Sequence, residues 1–534
     1  MASKDVSIPA FEADSVDVIA TKHNTLRNTY RSGRTKDIQY RLKQLRKFYW
    51  AICDLEPLMK QALYKDLRKC NHEAVMTEIA WSKGECLDQI NNLEKWAKDE
   101  TIPDIPVTFW AMGHRIRFEP LGVVLVIGSF NYPFQLTLLP FIGAVAAGNT
   151  VIIKPSEHSP ASAMVTKLLF ERLDPESYVC INGGLPVSQT LLDLKFDKIA
   201  FTGGRGVGTI IAKKAAETLT PVLLELGGQN PAFITRNGNV KLAARRLLWG
   251  KTTNAGQVCL SHNYALVERS AVDEFIAEVN KQYKVFMPQG AQASPDYCRI
   301  VNKSNFDRIK SMLDRTSGRI VMGGATDESD LYIEPTVVLH DKMDLHDSMI
   351  AEESFGPIWS VVPYDNLDDA INFANEVDPT PLALFTFGSD AENQKVINSV
   401  TSGGATVNDT LTHASLHCTP FGGVGKSGQG SYHGIYSFKA FSHQRTVARV
   451  PNWIEKLLRV RYMPYQASDL ARLQRMNRKK MNFDREGNVR RGLGYWLCLI
   501  FGLGSSGVKG AALRWGLLVA IAMSLGLKKS SIGL

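Results

Sequence analysis

Gly122-Val123-Val124-Leu125-Val126-Ile127 is an unbroken apolar run rich in β-branched residues, and Gly128-Ser129-Phe130-Asn131-Tyr132-Pro133 follows it at once. A run this short and this apolar reads as a strand buried on both faces of a parallel sheet. Downstream, Leu136–Ala147 has the length of a helix and stops near Gly148-Asn149. Thr150–Ile153 is a second strand, ending in Lys154-Pro155-Ser156-Glu157. Tyr178–Asn182 is a third, closed by Gly183-Gly184, and Lys198–Thr202 a fourth, which feeds a glycine-rich turn and a helix over Gly206–Leu219. Strands alternating with helices predict a doubly wound α/β sheet, which holds ligands beyond the carboxyl ends of its strands. Asn131, Lys154 and Gly203 all fall at or just past such ends.

Upstream, Val16–Ala97 repeats apolar residues at helical spacing, with Ile38, Leu42, Leu45 and Tyr49 on one face; a helical N-terminal region with a packing role is expected. Beyond Pro221 a second α/β region begins. Val222–Glu225 is a strand ending in Leu226-Gly227-Gly228, Leu242–Trp249 a helix, and a loop and helix are expected around Cys259. Further strands are expected at Tyr264–Val267, Arg319–Met322, Ile358–Val362, Leu384–Phe387 and Gly403–Asn408.

The 534 residues are 44% hydrophobic and 22% charged, an ordinary globular balance for a chain of several domains. The eight cysteines are scattered, with no CxxC pair, and Met1–Asp14 has no apolar signal core, so reduced thiols facing the cytosol are expected. His413 and His417 stand at i, i+4 without a matching third ligand, so no metal site is expected. Much of the net charge of +9 sits in Arg472–Arg491, just before an apolar tail. That placement fits a membrane surface and, with no recognisable binding module, excludes nucleic acid. Leu493–Val508 and Ala511–Leu527 are apolar runs interrupted by Lys509 and Arg514 and closed by Lys528-Lys529. Two arrangements fit: the second run spans the bilayer with Arg514 snorkelling, or the two runs form an interfacial or hairpin insertion.

Asn254-Ala255-Gly256-Gln257-Val258-Cys259 and, upstream, Leu224-Glu225-Leu226-Gly227-Gly228-Gln229-Asn230-Pro231 together resemble the two signature motifs of the aldehyde dehydrogenase superfamily. Phe201-Thr202-Gly203, Glu353-Ser354-Phe355-Gly356-Pro357 and Pro420-Phe421-Gly422-Gly423 follow the same family order. Ser431-Tyr432-His433-Gly434 and Phe441-Ser442-His443-Gln444-Arg445 are similar to the class 3 branch, which includes fatty aldehyde dehydrogenases, some of them membrane-anchored.

The resemblance implies an aldehyde dehydrogenase-like α/β fold: a Rossmann-type cofactor domain, an α/β catalytic domain, a small oligomerisation β-extension and a C-terminal membrane tail. The implied limits are 1–226 for the helical N-terminus and cofactor domain, with a bridging β-segment near 107–120, and 227–430 for the catalytic domain. A return segment at 431–450, a basic linker at 451–491 and the hydrophobic tail at 492–529 complete the chain. It implies Cys259 as nucleophile, Asn131 as oxyanion donor and Glu225 as general base. It implies NAD (or NADP) held by Lys154, Glu157, Gly203, Gly204, Gly208, Glu353 and Phe355. A carboxylate at 157 would repel the additional phosphate of NADP, which favours NAD. Gly204 departs from the serine common in the family, and Arg205 beside it is expected to compensate electrostatically.

The expected reaction is oxidation of long-chain aldehydes to free acids through a cysteine thiohemiacetal and thioester. Medium-chain or aromatic aldehydes, a CoA-acylating reductase and an inactive scaffold are the alternatives. The expected setting is a homodimer on a cytosol-facing membrane, the endoplasmic reticulum first, then the mitochondrial outer membrane, peroxisome or lipid droplet.

Overall fold

The computed structural model describes residues 7–476, apart from 104 and 106, and scattered positions between 481 and 516. The chain separates into two compact units, one of residues 1–98 and 118–444, the other of 99–117 and 445–534.

In the first unit the helical N-terminal region forms as Asp17–Arg31, Ile38–Leu67 and Ala80–Trp96. Asp37 opens the long helix by accepting the Gln39 N–H at 3.0 Å, and Arg68, at φ 56°, closes it in the left-handed region. Its buried stripe of Leu42, Leu45, Phe48, Ile52 and Met59 packs on the helices Gln135–Ala147 and Pro160–Phe170, with Phe48 edge-on to Phe141 at 5.0 Å. Asn71–Ala74 leads into a wide π turn at Val75–Ile79, a form that recurs at functional sites.

The first sheet runs, in spatial order, Gly428–Gln429, Val222–Leu226, Lys198–Gly203, Val123–Ile127, Thr150–Lys154, Tyr178–Cys180. Only the two-residue edge strand is antiparallel. Strand order therefore reverses at Val123–Ile127, which opens the crevice beyond Ile127 and Gly203. Val123, Leu125, Ile152, Ile199 and Phe196 fill the core beneath. Each such side chain contributes roughly 1.5–3 kcal/mol when fully buried.

The second sheet, also in this unit, has seven strands: Arg319–Met322, Thr336–Leu339, Ile358–Tyr364, His262–Glu268, Asn230–Ile234, Ala383–Phe387, Gly404–Val407. Two of these, Asn230–Ile234 and Thr336–Leu339, are absent from the sequence reading. Pro231 argues against a central strand, yet it sits at the register shift between Asn230 and Pro231, where the ladder is already interrupted. A second correction concerns Cys259. No helix follows it; a short turn at Thr253–Gly256 precedes it, and residues 259 and 260 lie in a turn that enters the strand at His262.

In a third sheet, Glu100–Thr101 pairs antiparallel with Arg115–Pro120, and Ser442–Val447 completes three strands. Arg117 grips Asp99 with two bonds of 3.0 Å. The segment read as β over 107–120 is β only from Arg115; Val107–Met112 is a 3-10 turn. Gly113, at φ 51°, ends it. The hydrophobic tail of 492–529 lies outside the described residues, a few scattered positions aside. Among the described residues no helix is long and apolar enough to cross a membrane.

Candidate active site

The helix Val240–Thr252 delivers the Cys259 loop. Asn239 starts it by accepting the Leu242 N–H at 3.0 Å. It ends in three consecutive left-handed residues, Asn254 (φ 51°), Ala255 (φ 50°) and Gly256 (φ 70°). Such backbone costs about 1–3 kcal/mol for each non-glycine residue and persists only where neighbours hold it. Here the Asn254 N–H donates to Glu73 Oε1 at 2.6 Å and its Nδ2 to Asn131 O at 2.9 Å. Gln257 donates to Arg299 O at 3.0 Å and accepts the Val301 N–H at 3.0 Å. A Cβ at Gly256 would lie 2.1 Å from Gly356 O, so only glycine lets this loop pass the Phe355-Gly356-Pro357 backbone. The Asn-Ala-Gly-Gln spelling before Cys259 thus follows from conformation and close approach.

Cys259 lies where two cavities meet. One, of about 510 Å³, is walled by Asn131, Lys154, Gly204, Glu225 and Glu353; the other, of about 200 Å³, by Trp81, Tyr132, Trp249, Phe421 and Tyr432; Cys259 belongs to both. Burial pushes its thiol up to about 12; Glu225 and Glu353 add to this, and the N–H groups of Cys259 and Leu260 pull the other way. Glu225 closes the Val222–Leu226 strand, is 5% exposed, and has no hydrogen-bond partner for either carboxyl oxygen. Burial drives its carboxyl well above the ordinary range; the Gly423 N–H, near it but outside hydrogen-bonding geometry, pulls the other way. A carboxyl raised by burial holds a proton more tightly, the property a general base needs. Asn131, 1% exposed, gives one Nδ2 hydrogen to Gln257 O at 3.0 Å and keeps the other for a ligand.

The larger of these two cavities offers groups suited to a dinucleotide. Gly204 caps the helix Arg205–Glu217 with no side chain bonded over its N-terminus, so free N–H groups face the cleft, a setting that favours phosphate. A Cβ at Gly204 meets nothing within 4 Å, so space does not dictate the departure from serine. Lys154 Nζ, on the strand end, bonds Glu157 Oε2 at 2.7 Å, and the lysine holds that carboxyl below its usual value despite burial. Glu353 lies over Gly227, where a Cβ would come within 2.4 Å of its carboxylate; burial raises it to about 7. Phe355, at φ 41°, stacks edge-on to Phe130 at 5.9 Å across the mouth. The set fits an anionic, ribose-bearing ligand. Gly208 plays another part: it packs on Leu226, where a Cβ would strike at 2.6 Å, and Val207 lines the cleft instead. Arg205 is turned to Asp378 at 3.0 Å and Lys426 O at 3.1 Å, so its charge is already paired.

The sequence reading passed over three charged residues of the helical N-terminal region, Lys69 in the link before Asn71 and Glu73 and Glu78 beyond it, which pack behind Asn131 and Asn254. It also missed Lys251, 1% exposed, which donates to His262 O at 2.9 Å and Ser354 Oγ at 3.1 Å and is lowered by burial to about 7. A charged residue amid an apolar helical stripe was the available signal. His413 and His417 part company: one bonds Thr406 Oγ1 at 2.8 Å, the other Glu85 Oε2 at 3.1 Å.

Comparison with known proteins agrees with this geometry. The family model described as "Aldehyde dehydrogenase family" matches residues 6–447. A beta-apo-4'-carotenal oxygenase of Gibberella fujikuroi is 58% identical over 99% of this chain and 98% of its own length. Aldehyde dehydrogenase family 3 member A2 of Rattus norvegicus is 40% identical over 84% of this chain and 91% of its own. The solved substrate-bound state of Staphylococcus aureus AldH superposes with a TM-score of 0.83 at 40% identity, covering 86% of this chain and 99% of that one. By motif, fold and full-length similarity, the chain belongs to the aldehyde dehydrogenase family.

Proposed function

We propose that this enzyme oxidises long apolar aldehydes to free carboxylic acids, with Cys259 as nucleophile and NAD as acceptor, and that terminal aldehydes of conjugated polyenes are its preferred class. The observation that carries the reading is the position of Cys259 at the junction of a polar cleft and an aromatic-walled pocket. Trp81, Tyr132, Trp249, Phe421 and Tyr432 present flat faces suited to a rigid conjugated chain. The carotenal-oxygenase relative, similar along the whole length, supports that substrate class. Saturated fatty aldehydes are the second reading, supported by the same apolar walls and the class 3 likeness.

Cys259 Sγ gives up its proton to solvent in the open cleft and bonds the carbonyl carbon, and as the C=O π pair moves onto the oxygen that oxygen becomes an oxyanion held by Asn131 Nδ2–H and the Cys259 N–H. Lys154, Glu157, Glu353 and the Arg205–Glu217 helix N-terminus would hold NAD in the cleft, which would supply the acceptor for the hydride of that carbon. Glu225 then takes a proton from water as its oxygen attacks the thioester, releasing acid and restoring the thiol. A base at this position makes hydrolysis, and not transfer to coenzyme A, the exit. The enzyme acts as a homodimer, and the 492–529 tail holds it to a cytosol-facing membrane, the endoplasmic reticulum first, where such substrates dissolve.

NADH formation without coenzyme A, measured on intact and tail-deleted protein against apocarotenals, saturated aldehydes of graded length and benzaldehyde, tests the reading. The polyene aldehyde should show the highest kcat/KM, and the intact chain should float with liposomes. Preference for short soluble aldehydes, or a requirement for coenzyme A, would defeat it.

A further inference from the structure

Two irregular segments shape the oxyanion site, 128–134, which holds Asn131, and 253–258, which leads into Cys259, and neither belongs to a sheet ladder. Side-chain charges from the helical N-terminal region tie them together. Lys69 and Glu78 are both 0% exposed and paired at 2.6 Å. Lys69 Nζ also donates to Asn131 O at 3.2 Å and lies 4.2 Å from the Tyr132 ring centroid. The other oxygen of Glu78 accepts the Phe134 N–H at 2.9 Å and the Gln135 N–H at 3.4 Å. The π turn Val75–Ile79 carries Glu78. One turn away, Glu73 accepts the Asn254 N–H, and Asn254 Nδ2 bonds back to Asn131 O, so both segments hang on one cluster.

Burying an ion pair gains little stability over apolar residues of the same volume. Such a pair is retained for what it fixes. Here every bond it makes beyond itself ends on the backbone of residues 131, 134 and 135.

We propose that Lys69 and Glu78 are positioning residues of the oxyanion site, whose ion pair fixes the Asn131–Gln135 turn and so the direction of the Asn131 amide. The inference rests on the reading above that Asn131 is the oxyanion donor.

The test is a double-mutant cycle on the full chain with Lys69→Met and Asn131→Ala, alone and combined. Asn131→Ala should lower kcat by about a hundredfold to a thousandfold, and Lys69→Met by about tenfold to a hundredfold with KM nearly unchanged. Lys69→Met should keep parental NADH binding, read by fluorescence, and a parental rate of Cys259 alkylation by iodoacetamide. In the Asn131→Ala background Lys69→Met should have no further effect, because it acts through the missing amide. Lys69→Arg should recover part of the loss. If Lys69→Met does not fold, Glu78→Gln serves the same cycle. Losses that multiply in the combined variant, or parental kcat in Lys69→Met, would overturn the proposal. Parental kcat in Asn131→Ala would sink the oxyanion reading first, and this inference with it.

Discussion

Replacing Glu225 by glutamine separates the two halves of the reaction. The exchange conserves volume at a 5% exposed strand end where neither carboxyl oxygen makes a hydrogen bond, so the fold loses none. What goes is the proton acceptor for water. A positioned general base contributes a factor of about 10²–10⁴, or about 2.7–5.4 kcal/mol at 1.36 kcal/mol per decade. Asn131 and Cys259 remain, so acylation continues while hydrolysis stalls. Stopped-flow measurement should therefore show a burst of one NADH per subunit, followed by a steady rate lower by that factor. In the parent, the rate of hydrolysis should climb with pH through the raised value of Glu225, a rise the variant lacks. Stability gives an independent check. A carboxyl raised on folding contributes stability that is complete below its ordinary value of 4.5 and is lost as pH rises through the folded value. Glutamine has no such loss, so the two proteins should melt together near about pH 5, and the variant should melt higher at about pH 9. A variant with parental steady-state rate and no burst would refute Glu225 as the base.

Two further predictions address the nucleophile and the cofactor. Cys259→Ala should abolish NADH formation while leaving dinucleotide binding, measured by fluorescence titration, at its parental strength. Glu157→Gln should raise kcat/KM for NADP about tenfold, because the Lys154-paired carboxylate that opposes an added phosphate is gone while the lysine stays; an unchanged NAD/NADP ratio would assign discrimination elsewhere.

The strand–helix alternation from Gly122 to Glu225 was legible because parallel strands buried on both faces are written as continuous apolar runs, and each expected strand lies within a residue or two of the observed one. The segment around Cys259 was legible as a motif but not as a shape: left-handed Asn254 and Ala255 are held by distant partners, and no local propensity announces them. Asn230–Ile234 was hidden by Pro231, since the missing N–H matters only if the register needs it there. Gly208 looked like part of a phosphate loop because its spacing from Gly203 is right, yet spacing does not say which face of the helix a glycine presents.

Lys69, Glu73 and Glu78 show the limit most plainly. On a sequence, charged residues among apolar helical positions read as a solvated edge, because a buried charge is costly and uncommon. What makes their burial tolerable is the set of backbone groups on 131, 134, 135 and 254, which come from segments 56 or more residues away in the chain. Glu225 obeys the opposite logic: it is buried without partners, and its carboxyl is driven up in consequence. The site thus divides its charges into those satisfied by the backbone, which hold geometry, and one left unsatisfied, whose affinity for a proton is the property the reaction requires.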